Sequence, residues 1–306
     1  MAVPHARIPR RRVDGVLLLD KPLGLSSNAA LQRAKRLYAA EKAGHTGTLD
    51  PLATGLLPLC FGEATKFAQA LLGADKTYHA TVRFGIATTT GDAEGEIVAE
   101  GPAAFAREDL ERVLPRFTGT VSQMPPRYAA LKFEGRNYYE YARAGIEIPR
   151  AARNVRVYAI EVLDWSPPLA TLRVACGTGT YVRVLAEDLA ATLGSCAHLT
   201  ALRRTATGPF LLAGATTLDA LEALDAAGRD ALLLPVHAPL EDMPRLVVGP
   251  DAALALFQGR AAPAPADAAG RYGCYDTGGR FLGVIAAGGG ELRAVRLMRA
   301  DEGAGP

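Results

Sequence analysis

The chain is short of several things, and each shortage closes off a class of function. Its 306 residues hold four cysteines, Cys60, Cys176, Cys196 and Cys274, with no Cys-x-x-Cys pair and no histidine cluster nearby. That spacing argues against a zinc site or a disulfide framework and fits a reducing cytoplasm. Long apolar runs are missing as well: stretches such as Gly15–Leu19 and Ala231–Leu234 fall far below the ~20 residues that span a bilayer. Met1–Arg12 is basic but has no apolar h-region, so an unexported, cytoplasmic protein is expected. The Gly-x-Gly at 177–179 lacks the third glycine of a dinucleotide fingerprint, and no Gly-Lys-Ser/Thr occurs. Dinucleotide and ATP chemistry are therefore not indicated. The formal net charge is only +2, too small to identify a polyanion partner, so where the charges sit carries more weight than their sum. Hydrophobic residues at 49% and charged residues at 22% supply a real core for one large or two modest domains.

What is present concentrates in one stretch. Residues 44–56 read Gly-His-Thr-Gly-Thr-Leu-Asp-Pro-Leu-Ala-Thr-Gly-Leu. Pro51 fixes its own φ and pushes Asp50 out of the helical region, while Gly44, Gly47 and Gly55 permit positive φ or a close backbone approach. Polar His45, Thr46, Thr48 and Thr54 surround a single carboxylate. A lone acid in a stiff, glycine-hinged loop has the character of a positioned catalytic or ligand group. An ordinary turn uses the same residue types, and the neighbouring motifs decide between the two.

Around this loop the periodicity predicts alternating elements. Val13–Leu19 reads as a short buried strand, stopped by Asp20-Lys21-Pro22. Ser26 or Ser27 caps a helix to about Ala40, with Leu31, Ala34, Leu37 and Tyr38 at helical spacing. Glu63 opens a second helix, with Ala64, Phe67 and Leu71, that carries Lys66. From Lys76 to Gly85 the period falls to two, placing Tyr78, Ala80, Val82 and Phe84 on one face. Arg107–Arg116 reads as a helix. Val155–Trp165 and Ala170–Cys176 pair across two prolines, and Gly177–Arg183 enters a helix with Leu185, Ala186, Leu189 and Leu193 as its stripe. His198–Thr205 reads as a strand ending in Arg203 and Arg204. A helix near Leu218–Ala226 leads to a Pro235–Pro244 linker, and beyond it lies a small Gly/Ala-rich section with strands at Phe281–Ala286 and Arg293–Leu297. Arg7–Arg12 reads as a flexible arm and Asp301–Pro306 as a frayed tail.

One segment stands apart by composition. Between Pro125 and Arg156 lie seven basic residues (Arg127, Lys132, Arg136, Arg143, Arg150, Arg153, Arg156) against three acids, with Tyr128, Tyr138, Tyr139 and Tyr141 interleaved. Cations neutralise phosphates and aromatic rings stack on splayed bases, so this is the composition of an RNA-binding flap. A solvated surface helix would also be basic, but it rarely carries four tyrosines.

The motifs taken together resemble the TruB family of bacterial tRNA pseudouridine synthases, which isomerise the uridine at position 55 in the T loop of elongator tRNAs. The resemblance covers nearly the whole chain. It rests on Leu-Leu-Leu-Asp-Lys-Pro (17–22), the 44–55 loop, Gly-Glu-Ala-Thr-Lys (62–66), Asp-Lys-Thr-Tyr (75–78), Gly-Thr-Tyr-Val-Arg (179–183) and Leu-Arg-Arg (202–204), in the family's order. It implies an α+β pseudouridine synthase fold with a mixed, largely antiparallel sheet. A catalytic domain over 1–240, with the flap at about 124–156, would precede a small PUA-type RNA-binding β domain over 241–306. It implies no cofactor and no metal. The partner implied is tRNA, through its T arm, with no membrane and no obligate protein partner, and the chain acting as a monomer. Motif by motif, Asp50 falls on the family's essential aspartate, Tyr78 on the tyrosine against the target base and Arg183 on the arginine pairing with the aspartate. His45, Tyr181 and Leu202 fall on substrate-contacting positions, Lys21 and Pro22 on the Lys-Pro motif, and Lys66 on a further binding position. The chain departs from the pattern at Thr88-Thr89-Thr90, where the family usually shows Thr-Asp-Thr, and at Ala129-Ala130, where it commonly shows Ser-Ala; Asp92 remains nearby.

The chemistry so implied breaks a glycosidic bond, turns the uracil and joins its C5 to C1′, with no redox step. Asp50 could attack C1′, attack C6 or remove the C2′ proton. For this it is expected to be ionised and aimed by a bidentate fork from Arg183 that lowers its pKa. The competing readings are a non-catalytic RNA-binding protein or tRNA-folding chaperone, a glycoside hydrolase, and a guide-dependent pseudouridine synthase.

Overall fold

The computed structural model describes residues 9–299; Arg7 and the 301–306 tail lie outside the described residues. The N-terminal apolar run forms β1 (Gly15–Lys21), and Ser26 caps α1 (Ser27–Leu37) by accepting from the Ala29 amide. β2 (Ala43–His45) and β3 (Ala53–Phe61) bracket the Asp50 loop. The expected second helix is broken: a 3₁₀ turn over Gly62–Lys66 precedes α2 (Ala68–Gly73), and Phe67 between them packs its ring edge-on against Phe281 at 5.3 Å. Tertiary packing of one aromatic overrides the local helical pattern.

β4 (Lys76–Phe84) follows with its alternation as expected, Ala80, Val82 and Phe84 being buried. A hairpin of β5 (Ile86–Thr88) and β6 (Ile97–Glu100) precedes α3 (Arg107–Val113), shorter than expected because Pro115 turns the chain into a 3₁₀ segment. After β7 (Gly119–Gln123) comes the flap, with a small hairpin of β8 (Lys132–Phe133) and β9 (Arg136–Asn137) and one short helix, α4 (Tyr138–Arg143). Tyr141 corrects the composition argument. It is buried, its ring packs against Phe133 at 5.9 Å and its hydroxyl donates to the Phe133 carbonyl, so it is the flap's own core.

β10 (Arg153–Ser166), β11 (Leu169–Cys176), α5 (Val182–Thr192) and β12 (Ala197–Thr207) complete the centre. Short β13 (Phe210–Leu211) and β14 (Thr216–Thr217) lead to α6 (Leu218–Ala223) and α7 (Ala226–Asp230), two helices where one was expected. Extended Leu224 separates them, and Thr217 and Asp225 cap one each. The large sheet runs β14-β1-β3-β12-β4-β11-β10-β7, with β2 and β13 attached to β3 and β12. Its pairings are antiparallel except β1 with β14 and β3 with β12, which matches the expected mixed, largely antiparallel sheet. The basic arm is tied down at Arg11, whose guanidinium reaches Asp230 at 2.7 Å and the Tyr38 carbonyl at 3.0 Å.

The C-terminal section is β15 (Arg245–Val248), α8 (Pro250–Phe257), β16 (Ala262–Pro263), β17 (Gly270–Asp276), β18 (Phe281–Gly288) and β19 (Glu291–Leu297), a five-stranded sheet ordered β15-β17-β18-β19-β16. It buries its own core, including Leu256, Cys274, Ile285 and Leu292. A second cluster, Phe67, Leu240, Tyr275, Phe281 and Val284, joins it to the larger unit.

The register of the large sheet brings distant motifs side by side. Lys21 of β1 pairs with Gly55 of β3, Gly55 with Arg204 of β12, and Arg204 with Tyr78 of β4. Four residues from separate motifs thereby form one cross-strand row. Gly55 holds φ +98°, and a Cβ there would meet the Arg204 carbonyl oxygen at 2.3 Å and its nitrogen at 2.8 Å. Only glycine allows β3 this close to β12. Gly55→Ala is expected to destabilise the fold by about 2 kcal/mol or more, and Gly44→Ala, where a Cβ meets nothing within 4 Å, by less than about 0.5 kcal/mol. Urea midpoints measured side by side check the contrast; equal midpoints would refute the close approach.

Candidate active site

The Asp50 loop is pinned from several sides. The Thr46 amide donates to the Pro58 carbonyl at 3.2 Å, and Ser27 Oγ both accepts from the Leu49 amide (2.7 Å) and donates to the Leu49 carbonyl (3.0 Å). Arg204, fully buried, donates to the Leu56 carbonyl at 2.7 Å and the Gly47 carbonyl at 3.3 Å. The Pro51 carbonyl takes the Gly24 amide at 2.9 Å and stands 3.5 Å from Lys21 Nζ. With its backbone polar groups paired to rigid neighbours, the loop presents Asp50 in a fixed place.

Facing it is Arg183, in the first turn of α5. Its Nη2 lies 3.1 Å from Asp50 Oδ2, its Nε 3.8 Å from Asp92 Oδ2, and it donates to the Thr90 carbonyl at 2.8 Å and the Tyr128 carbonyl at 2.7 Å. The expected bidentate fork onto Asp50 is not what forms. The guanidinium donates to two backbone carbonyls and stands between two carboxylates, so Asp50 faces a single arm. Asp92 is itself held by Thr90 Oγ1 at 2.6 Å and the Glu94 amide at 3.1 Å.

The expected lowering of the Asp50 pKa is also reversed. Burial among surrounding protein pushes the carboxyl above the ordinary range; Arg183 pulls it back, and negative Asp92 raises it again. The side chain nevertheless keeps 40% of its surface accessible, against 6% for Arg183. Protein crowds it from behind while one side stays open. Exposed Glu94 is pushed up likewise, by what burial it has and then by Asp92 and Asp50.

The other sequence-predicted residues divide into two groups. Tyr78 and Leu202 come together where both main cores meet, packing against each. Burial raises the Tyr78 phenol, with Arg204 pulling it back. Tyr181 sits at the start of α5 under the Arg153 guanidinium, 5.5 Å from the ring centroid. His45 is half-buried, its imidazole held down by burial and by Arg204, and its Nδ1 has no partner. Pro22 is exposed. Lys21 was expected among the substrate contacts, but the structure buries it completely. Its ammonium donates to the Pro22 carbonyl at 2.9 Å and the Leu25 carbonyl at 2.6 Å, and burial lowers its pKa to about 8, Asp50 opposing. Lys66 is not brought to Asp50: it pairs with Glu63 at 2.7 Å and donates to the Leu297 carbonyl at 3.1 Å, bridging to the C-terminal sheet. Sequence reasoning missed Arg204. The signal was there: adjacent Arg203 and Arg204 on one strand must face opposite sides, so one of them points inward.

A recess in the flap, lined by Arg127, Tyr138, Ile146 and Arg150 among others, contains none of the Asp50 set. Among the described residues no cluster of three His, Cys, Asp or Glu is placed to hold a metal.

Comparison with known proteins places this arrangement. A profile described as TruB family pseudouridylate synthase (N terminal domain) matches residues 35–182, and one described as tRNA pseudouridylate synthase B C-terminal domain matches 183–243. Proteins named tRNA pseudouridine synthase B from Azoarcus sp. (strain BH72) and Ralstonia nicotianae are 55% and 54% identical, over 97% and 96% of this chain and 99% and 97% of theirs. The chain belongs to the TruB family. Among solved structures, a Cbf5–Nop10–Gar1 complex aligns at 27% identity and TM-score 0.68, over 89% of this chain and 78% of that one. An H/ACA RNP bound to a substrate RNA containing 2′-deoxyuridine aligns at 23% and 0.70, over 94% and 86%, and speaks for the fold alone. The boundary between the two TruB profiles, at 182/183, falls inside the large sheet, since β12 beyond it pairs with β3 and β4 before it. Structurally the two segments are one unit. Among the described residues no helix is long and apolar enough to cross a membrane.

The Lys21 cage yields a direct test. Lys21→Met is expected to destabilise the protein by about 2 kcal/mol or more, because it strips the donor from the Pro22 and Leu25 carbonyls and removes the cation standing beside the Pro51 carbonyl of the Asp50 loop. Chemical denaturation reads this; an unchanged midpoint would mean that the ammonium clamps nothing.

Proposed function

We propose that this chain isomerises the uridine at position 55 in the T loop of tRNA to pseudouridine, with Asp50 as the reacting carboxylate. The observation that carries the reading is the open-faced Asp50 held 3.1 Å from buried Arg183 in a chain more than half identical to tRNA pseudouridine synthases B. The reaction is redox-neutral and balanced. The C1′–N1 bond breaks, the uracil turns, C1′ bonds to C5, the C5 proton leaves to solvent and N1 gains one. No cofactor is required. Asp50 attacks C1′ or C6, or takes the C2′ proton; each route needs the carboxylate, and Arg183 stabilises that form. Tyr78, with its raised pKa, is a neutral phenol that packs against the extruded base. His45, Tyr181, Leu202 and Pro22 border the base and its neighbours. The target lies inside a folded loop and is flipped out, at a cost of a few kcal/mol offset by stacking and edge hydrogen bonds.

Residues 1–240 serve as the catalytic domain and 241–306 as a PUA-like RNA-binding domain, with the basic flap gripping the T arm. The chain acts as a cytoplasmic monomer without an obligate protein partner. The relatives with tRNA in their names are 55% and 54% identical, whereas the neighbour seen in a multiprotein complex is 27% identical. This favours a stand-alone tRNA enzyme over a guide-dependent one.

Asp50→Asn is expected to abolish tritium release from a C5-tritiated tRNA transcript and to leave the Kd for that transcript nearly unchanged. If binding falls in step with release, Asp50 is a contact residue, and if wild type binds tightly without releasing tritium the chaperone reading wins. The acid limb of the single-turnover rate should lie above the ~3.9 of an ordinary aspartate, since Asp50 must ionise and its pKa is raised. Asp92→Asn removes a neighbouring negative charge, so the limb should move to lower pH. Movement upward would reverse the assignment.

A further inference from the structure

The flap leaves the large sheet after Gln123 and rejoins it at Arg153, and these two residues face each other in the β7–β10 ladder. Both hold Tyr181. Gln123 Oε1 accepts from the Tyr181 amide at 3.0 Å while its Nε2 donates to the Tyr181 carbonyl at 3.2 Å. The side-chain amide can point only one way, because one partner only donates and the other only accepts. From across the ladder the Arg153 guanidinium covers the Tyr181 ring.

Tyr181 is the N-cap residue of α5, and its own side chain makes no capping bond. A glutamine 58 residues away therefore holds the helix start that a short polar side chain usually secures. The same carbonyl takes the first helical bond, from Leu185 at 3.0 Å. Two residues on, Arg183 reaches Asp50 and takes the Tyr128 carbonyl inside the flap. The first turn of α5 is thus tied to the flap at its root and again within its body. Gln123 is only 1% exposed, so it cannot meet an RNA directly.

Building on Asp50 and Arg183 as the catalytic pair, we propose that Gln123 is a positioning residue for the isomerisation: with Arg153 it locks Tyr181, and through it Arg183, to the root of the flap. The flap and the Asp50–Arg183 pair then hold one geometry. A merely structural glutamine would affect stability and leave the chemistry of the folded molecules unaltered.

The test uses the full chain and a C5-tritiated tRNA transcript, with folding of each variant followed by thermal unfolding. Gln123→Met keeps the length and removes both hydrogen bonds. It is expected to slow single-turnover release roughly tenfold or more, with a Kd within about twofold of wild type. The acid limb should rise, because Arg183 withdraws from Asp50. Gln123→Glu keeps the acceptor for the Tyr181 amide and should recover part of the rate. If Gln123→Met does not fold, Arg153→Lys carries the test: it keeps the charge but loses the planar face over Tyr181, and should shift rate and acid limb the same way. A folded Gln123→Met, or failing that Arg153→Lys, with wild-type rate and acid limb would overturn the proposal, as would a defect lying wholly in Kd. Wild type releasing no tritium would instead overturn the functional reading on which it rests.

Discussion

The rest of the site depends on one buried cation. Arg183 has almost no contact with solvent, and a guanidinium taken out of water costs several kcal/mol unless it is fully partnered. Carried by α5, it draws its partners from three other parts of the chain: Asp50 from the loop before β3, Asp92 and the Thr90 carbonyl from the β5–β6 hairpin, and Tyr128 from the flap. None of these segments can settle without the others, because each supplies an acceptor the cation needs. The demand of one charge for acceptors thereby joins α5 and these three segments into a single geometry around Asp50.

Two further internal cations do the same for the loop. A tight turn through Gly47, Asp50 and Pro51 directs carbonyls into the protein, where an unpaired acceptor is costly. Arg204 takes the Gly47 carbonyl, and Lys21 sits near the Pro51 carbonyl while bonding those of Pro22 and Leu25. Lys21 and Arg204 flank Gly55 in one cross-strand row, and the absent side chain of Gly55 lets the Arg204 backbone approach. Lys21 also acts on Asp50 through space: with Arg183 it opposes the burial that pushes the carboxyl upward.

How much of this was legible depends on which interactions are local. The Asp50 loop was readable because proline, glycine and a lone acid constrain backbone within a few residues. The alternation at Tyr78–Phe84 was readable because a strand face repeats every second residue. The row joining Lys21, Gly55, Arg204 and Tyr78 was not, since register between strands is set by the assembled sheet. Lys21 shows the consequence: in a Lys-Pro motif it looks like an exposed ligand, and only the fold reveals the carbonyl cage. The bidentate fork expected of Arg183 failed for a similar reason. Nothing local announces that Thr90 and Tyr128 compete for its donors. In the C-terminal section the strands at β18 and β19 were visible as short β-like pieces, β18 as a compact apolar run, while α8 was lost in an alanine-rich stretch without a polar face.

How the nearby carboxylates are held also bears on the chemistry. A glycoside hydrolase works with two acids at matched separation, one to protonate the leaving group. Here the second nearby aspartate, Asp92, is buried, takes hydrogen bonds from Thr90 and the Glu94 amide, and turns its other oxygen toward Arg183. It is committed to orienting the guanidinium and has no face left for a substrate. Glu94 is exposed and feels Asp50, but the cation it would need to be fixed goes to Asp50, which faces buried Arg183 at 3.1 Å. A reaction in which the departing base is kept and rejoined needs no separate acid to release it to solvent, so one aimed carboxylate and a platform that holds the base suffice.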